Sequence, residues 1–375
     1  MPDGAAPLLP PDRVAPSGPP SGVSVPTERA AAVMATGVPG LPEVRAGDDL
    51  AALLLAALAA RGEALRDGDV LVVSSKVVSK AAGLTVTAVG RDDVVVAESR
   101  RLVAQRRTPR GLSQVVESAA GPVMAAAGVD ASNTAPGTVL TLPRDPDAAA
   151  RELRARLRAA GAPRVAVVVS DTAGRAWRRG QVDFALGCAG LVVVDDLRGT
   201  TDASGQLLEV TERVVADEVA AFADLVKGKT SGVPAALVRG LGAWVTEEDG
   251  PGAACLLRDP ASDWFRLGHV EAVRAALGSR PGAVEPPSVL PEPVAHRAAR
   301  AAKVALWDVP DLAEAPTHRV ADVAGGACVT VSVPDPFAAG VCASRLRTAL
   351  WAEDLSADVR FDPTTLILEV DVRPA

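Results

Sequence analysis

Residues 165–190 read VAVVVSDTAGRAWRRGQVDFALGCAG, and the rest of the chain is read outward from them. The run Val165 to Val169 is nearly all valine. Such a run, bounded by a charged turn, marks a strand buried on both faces. Ser170, Asp171 and Thr172 follow at its end. A carboxylate beside hydroxyls offers oxygen ligands to a hard cation such as Mg²⁺. Then come Arg175, Arg178 and Arg179, whose guanidinium forks match phosphate or carboxylate in two parallel hydrogen bonds. Taken alone, the segment reads more readily as a strand, a capping Asp and a solvated basic face, and the rest of the chain changes that balance.

The chain has 375 residues, enough for more than one domain and a sizeable core. It carries a net charge of −7, which argues against a non-specific nucleic-acid binder. Cys188, Cys255, Cys328 and Cys342 form no C-x₂-C pair, so buried free thiols are expected rather than a zinc or redox site. His269, His296 and His318 are scattered and late, a poor start for a Ser-His-Asp or Cys-His engine. Residues 1–36 are rich in Pro, Gly, Ala and Ser without a signal-peptide core, and are expected to be a disordered tail. No stretch is apolar enough for a membrane span, so a cytoplasmic protein is expected.

Three further stretches carry chemistry. Gly37 to Glu43 reads GVPGLPE, an irregular backbone stretch. A helix is expected from Asp48-Asp49 to about Ala60, then a strand over Val70 to Val73 that ends in SSKVVSK, Ser74 to Lys80. Hydroxyls at a strand end with a lysine behind them suit phosphate. Residues 92–105 are read as a short strand and then a helix. At 128–133, GVDASN gathers Asp130, Ser132 and Asn133 at a turn. Farther on, Thr211-Glu212 opens a helix to about Leu225, followed by Lys227 to Pro234, KGKTSGVP. Gly228-Lys229-Thr230 is not a P-loop: position 223 is Ala where that motif needs Gly, and a helix precedes it where a strand should. Ser262 to Gly278 is read as a closing helical segment. Residues 279–295 are Pro-rich and read as a linker. Residues 296–375 are read as a small α+β module with a β-α-β-β run of ferredoxin-like character and no legible site.

In this order and spacing, GLPE, SSKVVSK, GVDASN, SDTAGRAWRRGQ, TERVVADEVAAFADLVKGK and the late DWFRLG resemble the coenzyme F420-0:L-glutamate ligases, the γ-glutamyl ligases. The resemblance covers residues 37–278. It implies an α+β fold of two intertwined subdomains and usually a homodimer. It also implies a reaction in which GTP, with Mg²⁺ or Mn²⁺ and K⁺, drives joining of L-glutamate to the terminal carboxylate of coenzyme F420-0, with further γ-linked glutamates in some members. By the same likeness Asp130, Asp171 and Thr172 are expected metal ligands. Leu41, Pro42, Glu43, Val44, Ser75, Lys80, Asn133 and the loop Lys227, Gly228, Lys229, Thr230, Ser231, Gly232, Val233, Pro234 are expected nucleotide contacts. Arg175 and Arg178 are read from their own chemistry as catalytic clamps for phosphate or a substrate carboxylate.

Two departures from the family pattern stand out. Some relatives carry Gln where Lys229 stands, and an ammonium cannot ligate a metal. Long bacterial relatives end in a flavin-binding nitroreductase-like domain of about 200 residues; only some 80 residues follow the linker here, so a short bacterial form without FMN is expected. The competing readings are a ligase of the same mechanism on another carboxylate, and a non-catalytic nucleotide-binding regulator. The second has no use for Asp130, Asp171 and Lys80 together.

Overall fold

The computed structural model describes residues 32–87, 90–108, 111–132, 134–280, 283–288, 290–309, 312 and 314–375. The chain is mixed α+β, as expected. Its central sheet has five strands in the order Met34–Gly37, Ala235–Arg239, Val70–Ser74, Ala166–Arg175, Arg178–Ala189. Only Val70–Ser74 and Ala166–Arg175 run parallel, in a register that ends by setting Ser74 opposite Ser170. Their carboxyl ends therefore open side by side. In open α/β sheets such strand ends are where ligands gather.

Both faces of this sheet are covered, which explains the unbroken apolar runs. Leu71, Val73, Val167 and Val169 point into one core with the helices Leu50–Ala59 and Pro146–Ala159. Val70, Val72, Ala166 and Val168 point into the other, against the helix Val215–Lys227 and Trp244. The helix ends follow from their caps. Asp49 accepts a hydrogen bond from Ala52 N at 3.2 Å, and Asp145 accepts one from Ala148 N at 2.8 Å ahead of Pro146.

Several local expectations change. Ser75–Ala81 is a helix starting directly at the strand end. Residues 92–105 hold a helix first, Arg91–Ala97, and then the strand Ser99–Thr108, the reverse of the expected order. The strand that starts the central stretch does not stop at Val169; it continues to Arg175 and turns back through Trp177, at φ 62°, into Arg178–Ala189. Its outer half is solvated, so apolar patterning could not reveal it. Glu212–Val214 is a short strand and the helix begins only at Val215. The late helix is confined to His269–Ala276. Of the tail read over 1–36, residues 1–31 lie outside the described residues, while Met34–Gly37 pairs with Ala235–Arg239 as an edge strand. Cys188 and Cys342 are buried, Cys328 is half-buried and Cys255 is exposed.

A second region places the strands Ser99–Thr108, Gly111–Ser118 and Val123–Ala125 in one sheet. Beyond it, the C-terminal residues form a four-stranded antiparallel sheet in the order Thr317–Val323, Gly326–Ser332, Ile367–Pro374, Leu355–Asp362. The β-α-β-β run is there, preceded by the helix Val294–Ala305 and the strand Thr317–Val323. Moving its last strand to the front would give the β-α-β-β-α-β order of a ferredoxin-like unit. The helix Val294–Ala305 begins inside the stretch read as linker, and Val284 is buried in this module's core.

Candidate active site

The site is built on the two parallel strand ends. The helix Ser75–Ala81 leaves the first of them, and its opening turn joins three segments far apart in sequence. Ser75 Oγ donates to Asp171 Oδ1 at 3.1 Å. Lys76 Nζ lies 2.7 Å from Asp130 Oδ2 and donates to Ser132 Oγ at 2.7 Å. Lys80, at the last turn, pairs with Glu43 and so ties the GLPE stretch to the same helix. Asp130 Oδ1 also accepts from Ser132 N at 2.6 Å, and the Asp130 backbone bridges Leu140, which holds the GVDASN turn in place.

The strand alternation separates the two sides of the second strand end. Asp171 faces Ser75. Ser170 and Thr172 face the opposite side and meet Asp183 on the neighbouring strand: Ser170 Oγ donates to Asp183 Oδ2 at 2.9 Å and Thr172 Oγ1 to Asp183 Oδ1 at 2.5 Å. Lys227, at the end of the helix Val215–Lys227, reaches the same carboxylate at 2.6 Å and Ser170 Oγ at 2.6 Å. Lys229 donates to Thr172, and Ser231 to the Lys227 carbonyl. Gly228, with φ 65°, supplies the left-handed turn by which the chain leaves the helix.

These surroundings set the charges. Burial pushes the Asp171 carboxyl up to about 6, and the nearby Asp183 charge adds to it; hydrogen bonds from the Thr172 backbone and Ser75 and the Lys229 charge pull the other way. Burial also opposes ionisation of Asp183, but Lys227 and the two hydroxyl donors outweigh it and hold that carboxyl below its usual range. Asp130 is likewise held low against burial, by Lys76 and Ser132.

Of the expected residues, Glu43, Ser75, Lys80, Asp130, Asp171, Thr172, Lys227 and Lys229 come together at the strand ends. Leu41 is half-buried, Pro42 exposed, and Val44 buried in the core, which leaves Val44 only backbone to offer. Lys227 is buried, with its ammonium committed to Asp183 and Ser170. Thr230 and Gly232 are exposed, and Val233 and Pro234 half-buried, in the loop entering Ala235–Arg239. Asn133 lies outside the described residues. Arg175 and Arg178 are not brought to the cluster. They face each other at the exposed hairpin tip, four strand residues from Asp171, or roughly 13 Å along the chain.

Two residues of the strand-end cluster were absent from the sequence-derived set. Asp183 stands alone in an apolar alternating strand, VDFALG, and a lone carboxylate in such a strand needs a cation. Lys76 was quoted in its motif, but nothing in one dimension linked it to Asp130.

The donor set suits a hard cation. Among the described residues no three His, Cys, Asp or Glu side chains converge as a protein-only metal cage. Asp130 and Asp171 flank one helical turn whose other polar side chains are the Ser75 hydroxyl and the Lys76 ammonium. One or two carboxylates, with hydroxyls and substrate phosphates completing the shell, is the Mg²⁺ pattern. The shielded Asp171 carboxyl also lacks a contacting cationic side chain among the described residues, so a cation there would relieve its burial penalty.

Comparison with known proteins gives the family. The family model for F420-0:Gamma-glutamyl ligase matches residues 40–240, more than half of the chain. The chain belongs to that family. It is 39% identical over 251 residues to the coenzyme F420:L-glutamate ligase of Methanothermobacter thermautotrophicus, covering 61% of this chain and 97% of that protein. The protein of the same name from Methanopyrus kandleri is 37% identical over 249 residues, 61% of this chain and 96% of its own. The Halobacterium salinarum protein of that name is 42% identical over 223 residues, 54% and 85% respectively. These relatives are archaeal, and the matched family region contains every residue of the strand-end cluster. No helix among the described residues is long and apolar enough to cross a membrane.

Proposed function

We propose that the chain is a GTP-dependent ligase that joins L-glutamate to the terminal carboxylate of coenzyme F420-0 through an amide bond, with further γ-linked glutamates a possible extension of the same cycle. The observation that carries this reading is the Ser75–Asp171 and Lys76–Asp130 pairing around one helical turn at the ends of two parallel strands. It supports the reading because hard oxygen donors and lysines stand together there, the groups that a triphosphate and an acceptor carboxylate call for.

A carboxylate is a poor electrophile, so the reading has it phosphorylated first and then attacked by the glutamate amine. The transferred phosphoryl group needs charge neutralised on its equatorial oxygens. Lys76, Lys80 and Lys229, which contact Asp130, Glu43 and Thr172, are the lysines of the cluster that this reading assigns to that task. Asp130 and Asp171, with the Ser75 hydroxyl, are the residues that would hold Mg²⁺ or Mn²⁺, which would offset the negative charge of the phosphates; Thr172, on the other face of its strand, would serve a separate ion. K⁺ is proposed only by family likeness. Asp183 acts behind them: paired with Lys227, it accepts from Thr172 and fixes which way that hydroxyl's lone pairs point. Arg175 and Arg178 could serve the site only if the hairpin tip meets substrate there or in a homodimer partner.

The test is a mass-spectrometric assay with purified protein, GTP, Mn²⁺, L-glutamate and the unglutamylated deazaflavin. A GTP-dependent gain of glutamyl units on the acceptor is expected. GTP hydrolysis with no gain on this acceptor would overturn the assigned substrate.

A further inference from the structure

One cavity among the described residues is lined by none of the strand-end cluster. It holds about 450 Å³ and lies beside the cluster, at the free edge of the central sheet. Phe184 lines it, and Phe184 is the residue paired with Asp171 across the hairpin. The cavity therefore begins one strand away from Asp171.

Its charges are of both signs and sit on different segments. Arg100 and Arg144 line one side. Arg144 is largely exposed and holds Glu98 through one nitrogen at 3.1 Å. Arg100 donates through one nitrogen to the Ala119 carbonyl at 2.9 Å. The lining also includes Asp217, in the first turn of the helix Val215–Lys227. Its Oδ1 accepts from Ala185 N at 2.9 Å, a backbone donor on the unpaired edge of the outermost strand, and burial raises its carboxyl above the ordinary range. Its second oxygen has no partner among the described residues.

The other acids of the cavity are already engaged. Asp147 accepts from the backbone N–H groups of Cys188, Ala253 and Ala254. Asp145 caps its helix through Ala148 N. Arg100 also lies 4.0 Å from Glu117, so the groups left for a ligand are the remaining guanidinium donors of Arg100 and Arg144 and one carboxylate oxygen, between apolar walls that include Phe184 and Leu256.

We infer that this cavity binds an α-amino dicarboxylic acid, L-glutamate under the function proposed above, on which the inference rests. The guanidinium forks match carboxylates in a bidentate manner. Asp217 matches the α-ammonium group. A purely anionic ligand, such as a phosphate diester with a carboxylate tail, gains from the arginines but is repelled by Asp217. An amino acid of net charge −1 uses all three groups. The volume is at the small end of ligand pockets, generous for glutamate and tight for a tricyclic ring system with its side chain.

The experiment is equilibrium dialysis of radiolabelled L-glutamate against the full chain with Mn²⁺ and a non-hydrolysable GTP analogue. Glutarate, which lacks the amine, serves as competitor, and Arg144→Gln and Asp217→Asn are the variants. Arg144 is exposed and Asn keeps an acceptor for Ala185 N, so both variants should melt close to wild type. Wild type is expected to prefer L-glutamate over glutarate at least tenfold. Asp217→Asn should erase that preference, and Arg144→Gln should weaken both ligands at least tenfold. The KM for glutamate in the mass assay should rise with the same variants while the KM for GTP stays put. Glutamate binding and KM that are unchanged in both variants would overturn the cavity assignment and leave the ligase reading standing. Wild-type protein that neither binds nor transfers glutamate would overturn both.

Discussion

Asp171 and Asp183 sit on opposite faces of adjacent strands and respond to pH with opposite signs. Asp171 is raised from 3.8 to about 6 by burial. A carboxyl raised on folding contributes stability below its unfolded pKa, and that contribution is lost as pH rises through the folded value. Without added divalent cation, the chain should therefore lose stability between about pH 4 and 6 on account of Asp171, by up to about 3 kcal/mol. Asp171→Asn should remove that loss and raise the melting temperature at pH 7, while abolishing ligase turnover. Melting scans at pH 5 and 7 check the first part, and equal melting of variant and wild type at pH 7 would contradict it. Because a cation binds the ionised carboxylate, Mn²⁺ affinity should also fall as pH drops from 7 to 5, which isothermal titration at the two pH values reads directly. Asp183 runs the other way. Its carboxyl is held low by Lys227, so its contribution is present at neutral pH and fades as acid protonates it. Lys227→Met would leave that carboxylate buried without its cation, at a cost of about 3–5 kcal/mol. Chemical denaturation measures this, and a change under 1 kcal/mol would mean that the pair is not what holds the helix end to the sheet.

Between elements, the closest approach that serves the site is that of the helix Pro146–Ala159 on the strand Arg178–Ala189. A side chain at Gly187 would put its Cβ 2.2 Å from the Pro146 carbonyl oxygen, far inside contact distance. The helix start is pinned there by Asp145 and Asp147, so it cannot easily yield. Gly187→Ala should destabilise by about 2–3 kcal/mol and disturb the cavity wall at Phe184 and Leu186, which a shifted denaturation midpoint would record. The elements also mark where sequence patterning reaches and where it stops. The strand Val70–Ser74 and the first half of Ala166–Arg175 were legible because both faces are buried and the residues are uniformly apolar. The second half was not, because its solvated residues read as a loop. The helix Ser75–Ala81 was hidden for a related reason: hydroxyls and lysines in its sequence signal phosphate chemistry as readily as a helix start.

At the scale of the molecule, one short helix connects the matched family region to the C-terminal module. His269–Ala276 offers Glu271 to Arg101 at 2.6 Å on one side and Arg274 to Glu353 at 3.2 Å on the other. Glu353 is buried with Arg300 at 2.6 Å, and Arg300 in turn holds Glu292 at 2.7 Å. Arg345 donates to the Leu277 carbonyl at 2.7 Å. A chain ending at Arg280 should keep nucleotide binding, since no strand-end residue lies beyond it. It should melt several degrees lower, because this helix loses the face it packs on. Loss of GTP binding in that truncation would show that the C-terminal module supports the site itself.

The sequence alone determined the buried strands, the acidic start of the first helix, the ordered motifs and the family they indicate, because these depend on local periodicity and on residue chemistry at short range. Only the tertiary structure decided which of those groups meet. Strand pairing put Asp183 beside Thr172, and a helix end brought Lys227 to both. The same extension of the strand that built this cluster carried Arg175 and Arg178 away from it. The mixed-charge cavity is likewise a product of folding: Arg100, Arg144 and Asp217 lie on three separate segments, and no spacing along a chain encodes a distance through space.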